Sequence, residues 1–340
     1  MQAVILVGGE GTRLRPLTLT APKQMLPIMG VPMLEGVLGQ LKAHGVDEAV
    51  LSLGYLPDRF LQAYPDGECA GVALHYAVEP EPLDTAGAVR FAAQELDVHS
   101  TFVVVNGDVL TDLDLSAMLA FHASHGAEGT IALHPVNDPS RFGVVPTDEE
   151  GRVLAFVEKP PLGEAPTNLI NAGTYILEPS VLERIPLGQR VSIERETFQD
   201  MVAERALFAL PDESYWLDTG TPEAYLQAHA DILNGSRRPS FVRNEIVDGS
   251  CVLPGADVAA DASISSSFVD DAVTVGPGAA LIGSVLLPGA CVGAGAVVEG
   301  SILGPNSIVG DRAVLRPTCV LGADAKVAAE LTLINERVSS

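Results

Sequence analysis

The sequence predicts an α/β domain with a mostly parallel sheet and helices on both faces, followed by a parallel β-helix. Two observations carry this prediction. Up to about residue 235 short apolar runs alternate with helical patterns, and from residue 241 apolar residues recur every 17 positions. The alternation is typical of a parallel sheet, and the fixed period is typical of stacked coils. A chain of 340 residues is long enough for both, so we expect one domain at 1–235 and another at 241–340.

The first domain contains five runs of apolar residues that are typical of buried strands, at 3–7, 49–53, 72–78, 102–105 and 130–136. Apolar residues at helical spacing predict helices at 33–41 (ending near Gly45), 86–96 and 115–125. Strands and helices in this order predict a Rossmann-like sheet. Ligands of such sheets bind outside the carboxyl ends of the strands.

The second domain repeats three apolar positions in each coil, spaced by 6, 5 and 6 residues, as in Val258, Ile264 and Val269; Val275, Leu281 and Leu286; Val292, Val298 and Leu303; Val309, Leu315 and Val320. Phe241, Val247 and Val252 fit one coil upstream, so five coils would cover 241–325 and leave a tail. Cys251 and Cys319 share a phase in this register, four coils apart. At about 4.8 Å per coil they would lie roughly 19 Å apart, beyond the reach of a disulfide.

Composition excludes several classes of protein. The chain has 20 Lys plus Arg against 44 Asp plus Glu, a net charge of −24, whereas a nucleic-acid binder needs a basic surface. Its apolar runs are shorter than the roughly 20 residues of a membrane helix, and its first residues do not resemble a signal peptide. The four cysteines fit no metal-binding spacing. We expect a reduced, cytoplasmic protein that binds neither nucleic acid nor membrane.

A glycine loop follows the first predicted strand and reads Gly-Gly-Glu-Gly-Thr-Arg-Leu at 8–14. Glycines in such a loop let backbone N–H groups approach phosphates, and Arg13 can donate two hydrogen bonds to phosphate oxygens. Leu14 breaks the dinucleotide pattern G-x-G-x-x-G, and the Gly-Lys-Ser/Thr of a P-loop is missing. Taken alone, the loop is equally explained by a structural turn.

The Thr-Arg-Leu of this loop and the Ala-Pro-Lys-Gln-Met-Leu-Pro at 21–27 together resemble the signature of the sugar-nucleotide pyrophosphorylases, the NDP-sugar nucleotidyltransferases. Other motifs of that family follow in its order: Asn-Gly-Asp at 106–108, Phe-Gly-Val-Val at 142–145, Val-Glu-Lys-Pro at 157–160, Asn-Ala-Gly at 171–173 and Trp-Leu-Asp-Thr-Gly-Thr-Pro at 216–222. The resemblance covers the whole chain, because many relatives carry a left-handed β-helix at the C-terminus. Stacked coils have flat flanks and exposed ends that another subunit can cover, so we expect a homo-oligomer, either a dimer or a tetramer.

The resemblance also implies roles for individual residues. The expected catalytic residues are Arg13, Lys23, Asp108, Lys159 and Asp218, of which Asp108 and Asp218 would bind Mg²⁺. The expected nucleotide-binding residues are Leu6, Gly8, Gly9, Gly11, Thr12, Arg13, Glu79, Asp84 and Gly107. The expected sugar-phosphate-binding residues are Gly143, Glu158, Lys159, Asn171 and Gly173. For Asp108 and Asp218 a second interpretation stays open, since each could simply cap the following helix.

The family joins a nucleoside triphosphate and a sugar-1-phosphate to give an NDP-sugar and pyrophosphate. Segments at 18–20, 169–173 and 191–196 resemble the GDP-mannose pyrophosphorylases, which favours GTP and mannose-1-phosphate. Gln24 and the Leu-Pro-Ile at 26–28 resemble enzymes that transfer a thymidylyl group to glucose-1-phosphate, so thymidylyl or uridylyl transfer is the alternative. Asp84 stands where the guanylyltransferases usually have Gly. Its carboxylate is expected either to accept the two adjacent donors of guanine or to cap the helix at 86–96.

Two further classes of protein are considered as alternatives to a nucleotidyltransferase. Some β-helix relatives acetylate sugar amines with a His base in the helix domain, but all seven histidines here precede residue 241. A non-catalytic subunit that senses NDP-sugars should have lost some of the catalytic residues. Arg13, Lys23, Asp108 and Asp218 are all present.

Overall fold

The computed structural model describes residues 1–242 and 244–340, which form two compact units. The first unit comprises Met1–Gly9 and Val37–Trp216, and the second comprises Glu10–Gly36 and Leu217–Ser340. Glu10–Gly36 carries the Thr-Arg-Leu and Pro-Lys-Gln motifs and is called the signature segment below; it belongs to the same unit as the repeats. The boundary expected between 235 and 241 stays a prediction, and residue 243 of the second predicted domain lies outside the described residues.

Strands and helices alternate before the repeats, as the apolar pattern predicts. The strands are β1 Gln2–Leu6, β2 Pro27–Ile28, β3 Val31–Pro32, β4 Glu48–Leu53, β5 Glu68–Cys69, β6 Val72–Val78, β7 Phe102–Asn106, β8 Val109–Thr111, β9 Gly129–Pro135, β10 Gly143–Val144, β11 Val157–Glu158, β12 Leu169–Leu177, β13 Leu207–Pro211 and β14 Trp216–Asp218. The helices are α1 Met33–Ala43, α2 Pro57–Ala63, α3 Asp84–Glu95, α4 Leu115–His125, α5 Ser180–Glu183, α6 Phe198–Ala203 and α7 Pro222–Leu233. All five predicted strands and all three predicted helices are confirmed within about two residues at each end.

The first unit is built on a Rossmann-like, parallel-rich sheet with the strand order β11-β10-β12-β7-β1-β4-β6-β5, and β9 pairs with β12 and β13. The central strands β7, β1, β4 and β6 run parallel, whereas β12 is antiparallel to β7. Val4, Val104 and Ile131 of the sheet are fully buried in one core with Val89 of α3 and Phe198 of α6. Because the central strands are parallel, the loops after β1 and β7 leave the same edge of the sheet.

The second unit contains the repeats, folded as three parallel sheets whose strands come from successive coils, consistent with the predicted left-handed β-helix. One sheet holds β15 Cys251–Val252, β18 Phe268–Val269, β21 Val285–Leu286, β24 Ile302–Leu303, β27 Val320–Leu321 and β30 Arg337–Val338. The second holds β16 Asp257–Val258, β19 Thr274–Val275, β22 Cys291–Val292, β25 Ile308–Val309 and β28 Lys326–Val327. The third holds β17 Ser263–Ser265, β20 Ala280–Ile282, β23 Val297–Glu299, β26 Val314–Arg316 and β29 Thr332–Ile334.

The repeat departs from the predicted register between β24 and β27. Ile302 pairs with Val320 and Leu303 with Leu321, so this coil has one residue more than the 17 predicted. The inward position is therefore Leu321 and not Val320. The shared phase of Cys251 and Cys319 was wrong for the same reason, since Cys319 follows Ser301 in the stack. The conclusion drawn from it still holds, because Cys251 and Cys319 do not form a disulfide.

The ends of the repeat also differ from the expectation. Phe241 lies in a turn, Val247 forms an isolated β-bridge with Ser250, and the first strand of the stack is β15. The stack continues through β28, β29 and β30, so the predicted tail forms a further coil. Periodicity alone misplaced both ends because terminal coils pack on one neighbour only and can deviate from the repeat.

A ladder of buried serines runs through the stack and was missed by the apolar pattern. The Oγ atoms of Ser250, Ser267, Ser284 and Ser301 each accept the backbone N–H one coil later, over 3.4, 3.0, 3.2 and 3.3 Å. A buried hydroxyl is costly unless it is hydrogen-bonded, and each of these bonds contributes about 1 kcal/mol. The ladder therefore helps to hold the coils in register.

Candidate active site

The signature segment is folded into short 3-10 turns at Thr12–Leu14, Leu17–Leu19 and Lys23–Met25. Gly11 has a φ of +59°, and a Cβ there would lie 3.0 Å from Thr18 Cγ2 and 3.3 Å from Lys23 Cβ. The Thr18 hydroxyl donates to the Gly11 carbonyl over 2.9 Å. Glycine is therefore required at position 11, and the loop that contains Thr12 is a closed turn with little room for rearrangement.

Two charged side chains of the second unit face each other beside this turn. Arg13 Nη2 lies 3.8 Å from Asp218 Oδ2, and the side chains are 58% and 29% exposed. The Gly220 N–H donates to Asp218 Oδ1 over 2.9 Å, and any side chain at Gly220 would collide with Arg13. An exposed ion pair of this length contributes little to stability. The guanidinium therefore remains accessible to an anionic ligand.

The backbone of the signature segment is anchored by buried side chains from other parts of the second unit. The Met29 N–H donates to His229 Nε2 over 3.2 Å, and His229 Nδ1 lies 3.0 Å from the Tyr225 carbonyl. The Tyr225 hydroxyl donates to the Pro27 carbonyl, and the ring of Phe268 packs 5.4 Å from that of His229. Burial lowers the pKa of His229 to about 4, so the ring is neutral and can accept from Met29. The segment thus has accessible charged side chains on a fixed backbone.

The helix-capping interpretation of the two predicted metal ligands does not fit the structure. Asp108 is half-buried in the turn between β7 and β8, and α4 is capped instead by Asp114, which accepts from Ala117 N–H. Asp218 ends β14, and α7 is capped by Thr221. Within 1–242 and 244–340 no group of three or more His, Cys, Asp or Glu side chains could hold a metal ion by itself. A bound ion would have to complete its coordination with oxygens of a substrate or of water.

A polar cavity of about 310 Å³ opens in the first unit. We call it the polar cavity; it is lined by Asp84, Arg141, Phe142, Gly143, Phe156, Glu158, Lys159, Asn171, Ser192, Glu194 and Arg195. It brings together four of the five predicted sugar-phosphate residues. Gly143 pairs with Glu158 across β10 and β11, and a Cβ at Gly143 would overlap the ring of Phe156. Lys159 Nζ lies 3.0 Å from Glu158 Oε1, with both side chains substantially exposed.

Asn171 is held on the wall of this cavity by its own strand. Its Oδ1 accepts the Gly173 N–H over 3.0 Å, and its Nδ2 donates to the Tyr175 hydroxyl over 2.8 Å. The pairing of β12 with β9 is interrupted between Asn171 and Tyr175, where Gly173 has a φ of +76°. A Cβ at Gly173 would overlap the side chain of Asn106. This fifth predicted residue therefore shapes the strand and does not line the cavity.

Apart from Asp84, the predicted nucleotide residues of the first unit lie where β1, β6 and β7 end. The Gly107 N–H donates to the Leu6 carbonyl over 3.0 Å. A Cβ at Gly8, which precedes Gly9 in the loop, would touch Glu79 Oε1 at 3.4 Å. Glu79 accepts from the Ser52 hydroxyl over 2.8 Å and from the Leu83 N–H over 3.0 Å, so its carboxylate is fixed.

Asp84 lies with the sugar-phosphate residues, on the wall of the polar cavity. It is the first residue of α3, with a φ of +57°, and its carboxylate accepts the Thr85 N–H over 2.9 Å. Its other oxygen lies 3.1 Å from Arg195 Nη2 and 3.8 Å from Arg190 Nε. A backbone in the left-handed region is where glycine is most easily accommodated. This explains in physical terms why a glycine suits the position.

Sequence reasoning missed Arg141, Glu194 and Arg195 of this cavity. The segment at 191–196 carried a family resemblance, but it gave no role to any single residue. Ile193–Thr197 forms a short π-helix, a rare conformation that often occurs at functional sites. The Ser-Ile-Glu-Arg sequence gives no periodic signal for it.

Comparison with known proteins gives two family matches and several similar proteins. Residues 2–235 match the model of the family described as "Nucleotidyl transferase", and residues 246–340 match the "GMPPB C-terminal domain". The mannose-1-phosphate guanylyltransferase of Mycobacterium tuberculosis is 42% identical over 84% of this chain and 79% of that protein. Mannose-1-phosphate guanylyltransferase 1 of Arabidopsis thaliana is 42% identical over 76% of this chain and 76% of that protein.

No helix in the described parts of the chain is long and apolar enough to cross a membrane.

Among solved structures, HddC from Yersinia pseudotuberculosis complexed with GMP-PN matches with a TM-score of 0.57 and 32% identity, over 67% of this chain and 97% of that chain. The family model spans more than half of the sequence, and the fold agrees with it. The chain belongs to the nucleotidyl transferase family.

Proposed function

We propose that the protein transfers the GMP moiety of GTP to mannose-1-phosphate, giving GDP-mannose and pyrophosphate. The observation that carries the proposal is the polar cavity, where carboxylates, an amide and cations lie together. Ring hydroxyls need fixed hydrogen-bond acceptors and donors, and the sugar phosphate needs positive charge. Two relatives that are 42% identical are named mannose-1-phosphate guanylyltransferases, which supports mannose and guanine as the pair.

The chemistry requires positioning and charge neutralisation more than proton transfer. A phosphate oxygen of the sugar-1-phosphate attacks the α-phosphorus of the triphosphate, the α–β bridging bond breaks, and pyrophosphate leaves. A phosphate monoester is already ionised at neutral pH, so it needs no general base. The barrier comes from bringing two anions together, which cations at the site reduce. We assign Arg13 and Lys23 to the triphosphate and Lys159 to the sugar phosphate.

A divalent metal ion is general in this family of enzymes, and we propose Mg²⁺ with Asp108 and Asp218 as its protein ligands. The donor set fits, since Mg²⁺ prefers a few carboxylate oxygens and completes its coordination with phosphate oxygens and water. When bound, such an ion neutralises phosphate charge. Asp218 Oδ1 is already oriented by the Gly220 N–H.

The remaining assignments follow the loops described above. Leu6, Gly8, Gly9, Gly11, Thr12, Glu79 and Gly107 are proposed to surround the nucleotide, as the resemblance implies. Gly143, Glu158 and Asn171 are proposed to face the sugar, with Gly173 shaping the strand that holds Asn171. For Asp84 the position in the polar cavity favours the sugar-phosphate side over the base.

One experiment tests the proposal directly. Pyrophosphate release is measured for GTP, ATP, dTTP and UTP, each against mannose-1-phosphate, glucose-1-phosphate and glucosamine-1-phosphate. The expected result is the highest kcat/KM for GTP with mannose-1-phosphate. A preference for dTTP or UTP with glucose-1-phosphate would support the alternative instead. Failure of all pairs would support the non-catalytic, NDP-sugar-sensing subunit.

We also propose that the protein acts in the cytoplasm as a homo-oligomer, a dimer or tetramer assembled through the β-helix. Parallel coils end in strands with unpaired backbone groups, which a second copy can cover. Light scattering of the full chain measures its mass in solution. A monomer at micromolar concentration would contradict this proposal.

A further inference from the structure

Glu194 lines the polar cavity with Glu158, Lys159 and Asn171. Neither the family resemblance nor the assignments above give this carboxylate a role. It is half-buried on the short π-helix Ile193–Thr197. The question is whether its contacts are those of a surface acid or of a group held in place for a ligand.

One oxygen of this carboxylate is fixed by two hydroxyl donors. Glu194 Oε2 accepts from Thr85 Oγ1 and from Ser192 Oγ, both over 2.9 Å. These hydroxyls are themselves oriented, because Thr85 Oγ1 accepts the Ile193 N–H over 2.8 Å and Ser192 Oγ accepts the Arg195 N–H over 3.3 Å. Each hydroxyl has thus one acceptor role filled and points its proton at the carboxylate.

A second line of contacts joins Glu194 to the other polar wall of the cavity. Tyr175 is fully buried, and its pKa is raised by burial and further by the charge of the Glu194 carboxylate. The same hydroxyl accepts from Asn171 Nδ2 over 2.8 Å. The buried Tyr175 hydroxyl is therefore influenced by two residues of the cavity lining, through a hydrogen bond from Asn171 and through the charge of Glu194.

Glu158 shows what an unfixed carboxylate in the same cavity looks like. Its hydrogen-bonding partner there is the ammonium of Lys159, and its side chain is 46% exposed. A carboxylate on a mobile side chain accepts from a hydroxyl in many orientations. A carboxylate held by oriented donors accepts only where the hydroxyl points correctly, and that property distinguishes epimers.

We infer that Glu194 is a sugar-binding residue that accepts a hydrogen bond from a ring hydroxyl of the sugar phosphate and contributes to the choice between mannose and its epimers. The inference rests on the proposed function and extends it to a residue to which the family resemblance gave no role. Thr85 and Ser192 are positioning residues in this arrangement, since they act through the carboxylate. A neutral glutamine at 194 can keep its oxygen toward Thr85 and Ser192, and its amide group then faces the cavity as a donor where an acceptor is needed.

The test is the steady-state kinetics of Glu194→Gln with both substrates varied. The KM for mannose-1-phosphate is expected to rise by about tenfold or more, because a hydrogen bond to a charged acceptor is lost. The KM for GTP is expected to stay within about twofold, and the preference for mannose-1-phosphate over glucose-1-phosphate to fall. Glu194→Asp, which keeps the charge and shortens the side chain, is expected to give the same pattern and serves as the second variant if the glutamine variant misfolds.

Glu196→Gln is the matched control, two residues along the same π-helix and exposed. Its carboxylate accepts the Ser192 N–H over 2.9 Å, and glutamine keeps an oxygen for that bond, so the KM values should not change. An unchanged KM for mannose-1-phosphate in both Glu194 variants, with an active wild type, overturns the inference alone. An equal rise in the KM values of both substrates also overturns it. A wild type without activity on any pair defeats the proposed function, and the inference falls with it.

Discussion

The polar cavity of the first unit and the signature segment of the second hold their polar groups in different ways. In the cavity, Glu194 is held by hydrogen bonds from Thr85 and Ser192, and Asn171 is held by hydrogen bonds with Gly173 and Tyr175. In the signature segment, the Arg13 side chain is 58% exposed and its ion pair with Asp218 is long. What is fixed there is the backbone, through Met29 and His229.

The difference corresponds to the two kinds of ligand group. A neutral hydroxyl is recognised over hydrogen-bond distances only, so its partners must be oriented before it arrives. A phosphate is attracted over about 10 Å at ordinary ionic strength, so a mobile cation on a fixed loop is sufficient to bind it. The cavity is therefore expected to determine which sugar is used, and the segment to determine how strongly the triphosphate is held.

The largest effect is expected for the carboxylates proposed to hold the metal. Asp108→Asn and Asp218→Asn each remove one charged ligand, which costs several kcal/mol of transition-state stabilisation and lowers kcat by about 10³-fold or more. Pyrophosphate release at limiting Mg²⁺ measures this. Asp257→Asn, at an exposed position on the β-helix, is the control and should not change kcat. Near-wild-type turnover in either variant would remove that carboxylate from the metal site.

The second prediction tests the buried anchor of the signature segment through pH. The pKa of His229 is lowered from 6.5 to about 4 by burial, so the unfolded chain takes up a proton between these values and the folded chain does not. The free energy of unfolding therefore decreases as pH falls through this window, by about 3 kcal/mol between neutral pH and pH 4. This stability contribution is fully present above the unfolded pKa.

Urea unfolding at neutral pH and near pH 4 measures the change in wild type and in His229→Gln. Carboxylates contribute equally to both proteins, so the difference between the two slopes isolates the histidine. The variant should lose about 3 kcal/mol less than the wild type over this range. Parallel slopes would mean that His229 is not held neutral in the folded chain.

The third prediction concerns the exposed charge of the segment. Arg13→Gln is expected to raise the KM for the triphosphate by about 10- to 100-fold, the range of a charge-assisted hydrogen bond. Because the interaction is exposed, added salt should raise the wild-type KM and affect the variant less. Arg312→Gln removes an equally exposed arginine from the β-helix and is the matched control. Equal salt dependence in wild type and Arg13→Gln would show that Arg13 does not act through its charge.

The sequence allowed prediction of those features that leave a local or periodic pattern. Short apolar runs marked β1, β4 and β7, because strands buried on both faces of a sheet are mostly apolar. The 17-residue period indicated the coils, because each coil places apolar residues at the same positions as the neighbour on which it packs. It failed near Cys319, where one extra residue is inserted, since the apolar pattern around Val320 and Leu321 fits either register.

The network around Glu194 could not be predicted in the same way. Its members come from α3 and from the start of the π-helix, at positions 85 and 192–194. Polar residues far apart in sequence have no shared period, so their meeting is a property of the tertiary fold. The packing of the signature segment in the same unit as the β-helix has the same origin, since Met29 and His229 are separated by 200 residues.

The smallest effect on stability is expected for Asp84→Gly. Its kinetics decide whether Asp84 acts on the sugar phosphate or on the guanine base. Asp84 has a φ of +57°, so Asp84→Gly should relieve strain of about 1 kcal/mol. The same change removes exposed pairs with Arg195 and Arg190, which together contribute a similar or smaller amount. We therefore expect the free energy of unfolding to change by less than about 1 kcal/mol.

The kinetic outcome of Asp84→Gly separates the two regions. If Asp84 belongs to the polar cavity, its loss frees Arg195, and the KM for mannose-1-phosphate shifts by about two- to fivefold while the ratio of kcat/KM for GTP over dTTP stays within about twofold. If its carboxylate accepts the guanine N1–H and 2-amino donors, that ratio instead falls by about tenfold or more, since buried polar groups are left mismatched. Arg195→Gln supplies the control, because it leaves the carboxylate in place and should reproduce only a change at the sugar phosphate. We expect the first pattern, because the carboxylate already contacts Thr85 N–H and Arg195 on the cavity wall. A tenfold fall in the ratio of kcat/KM for GTP over dTTP would instead show that Asp84 binds the guanine base.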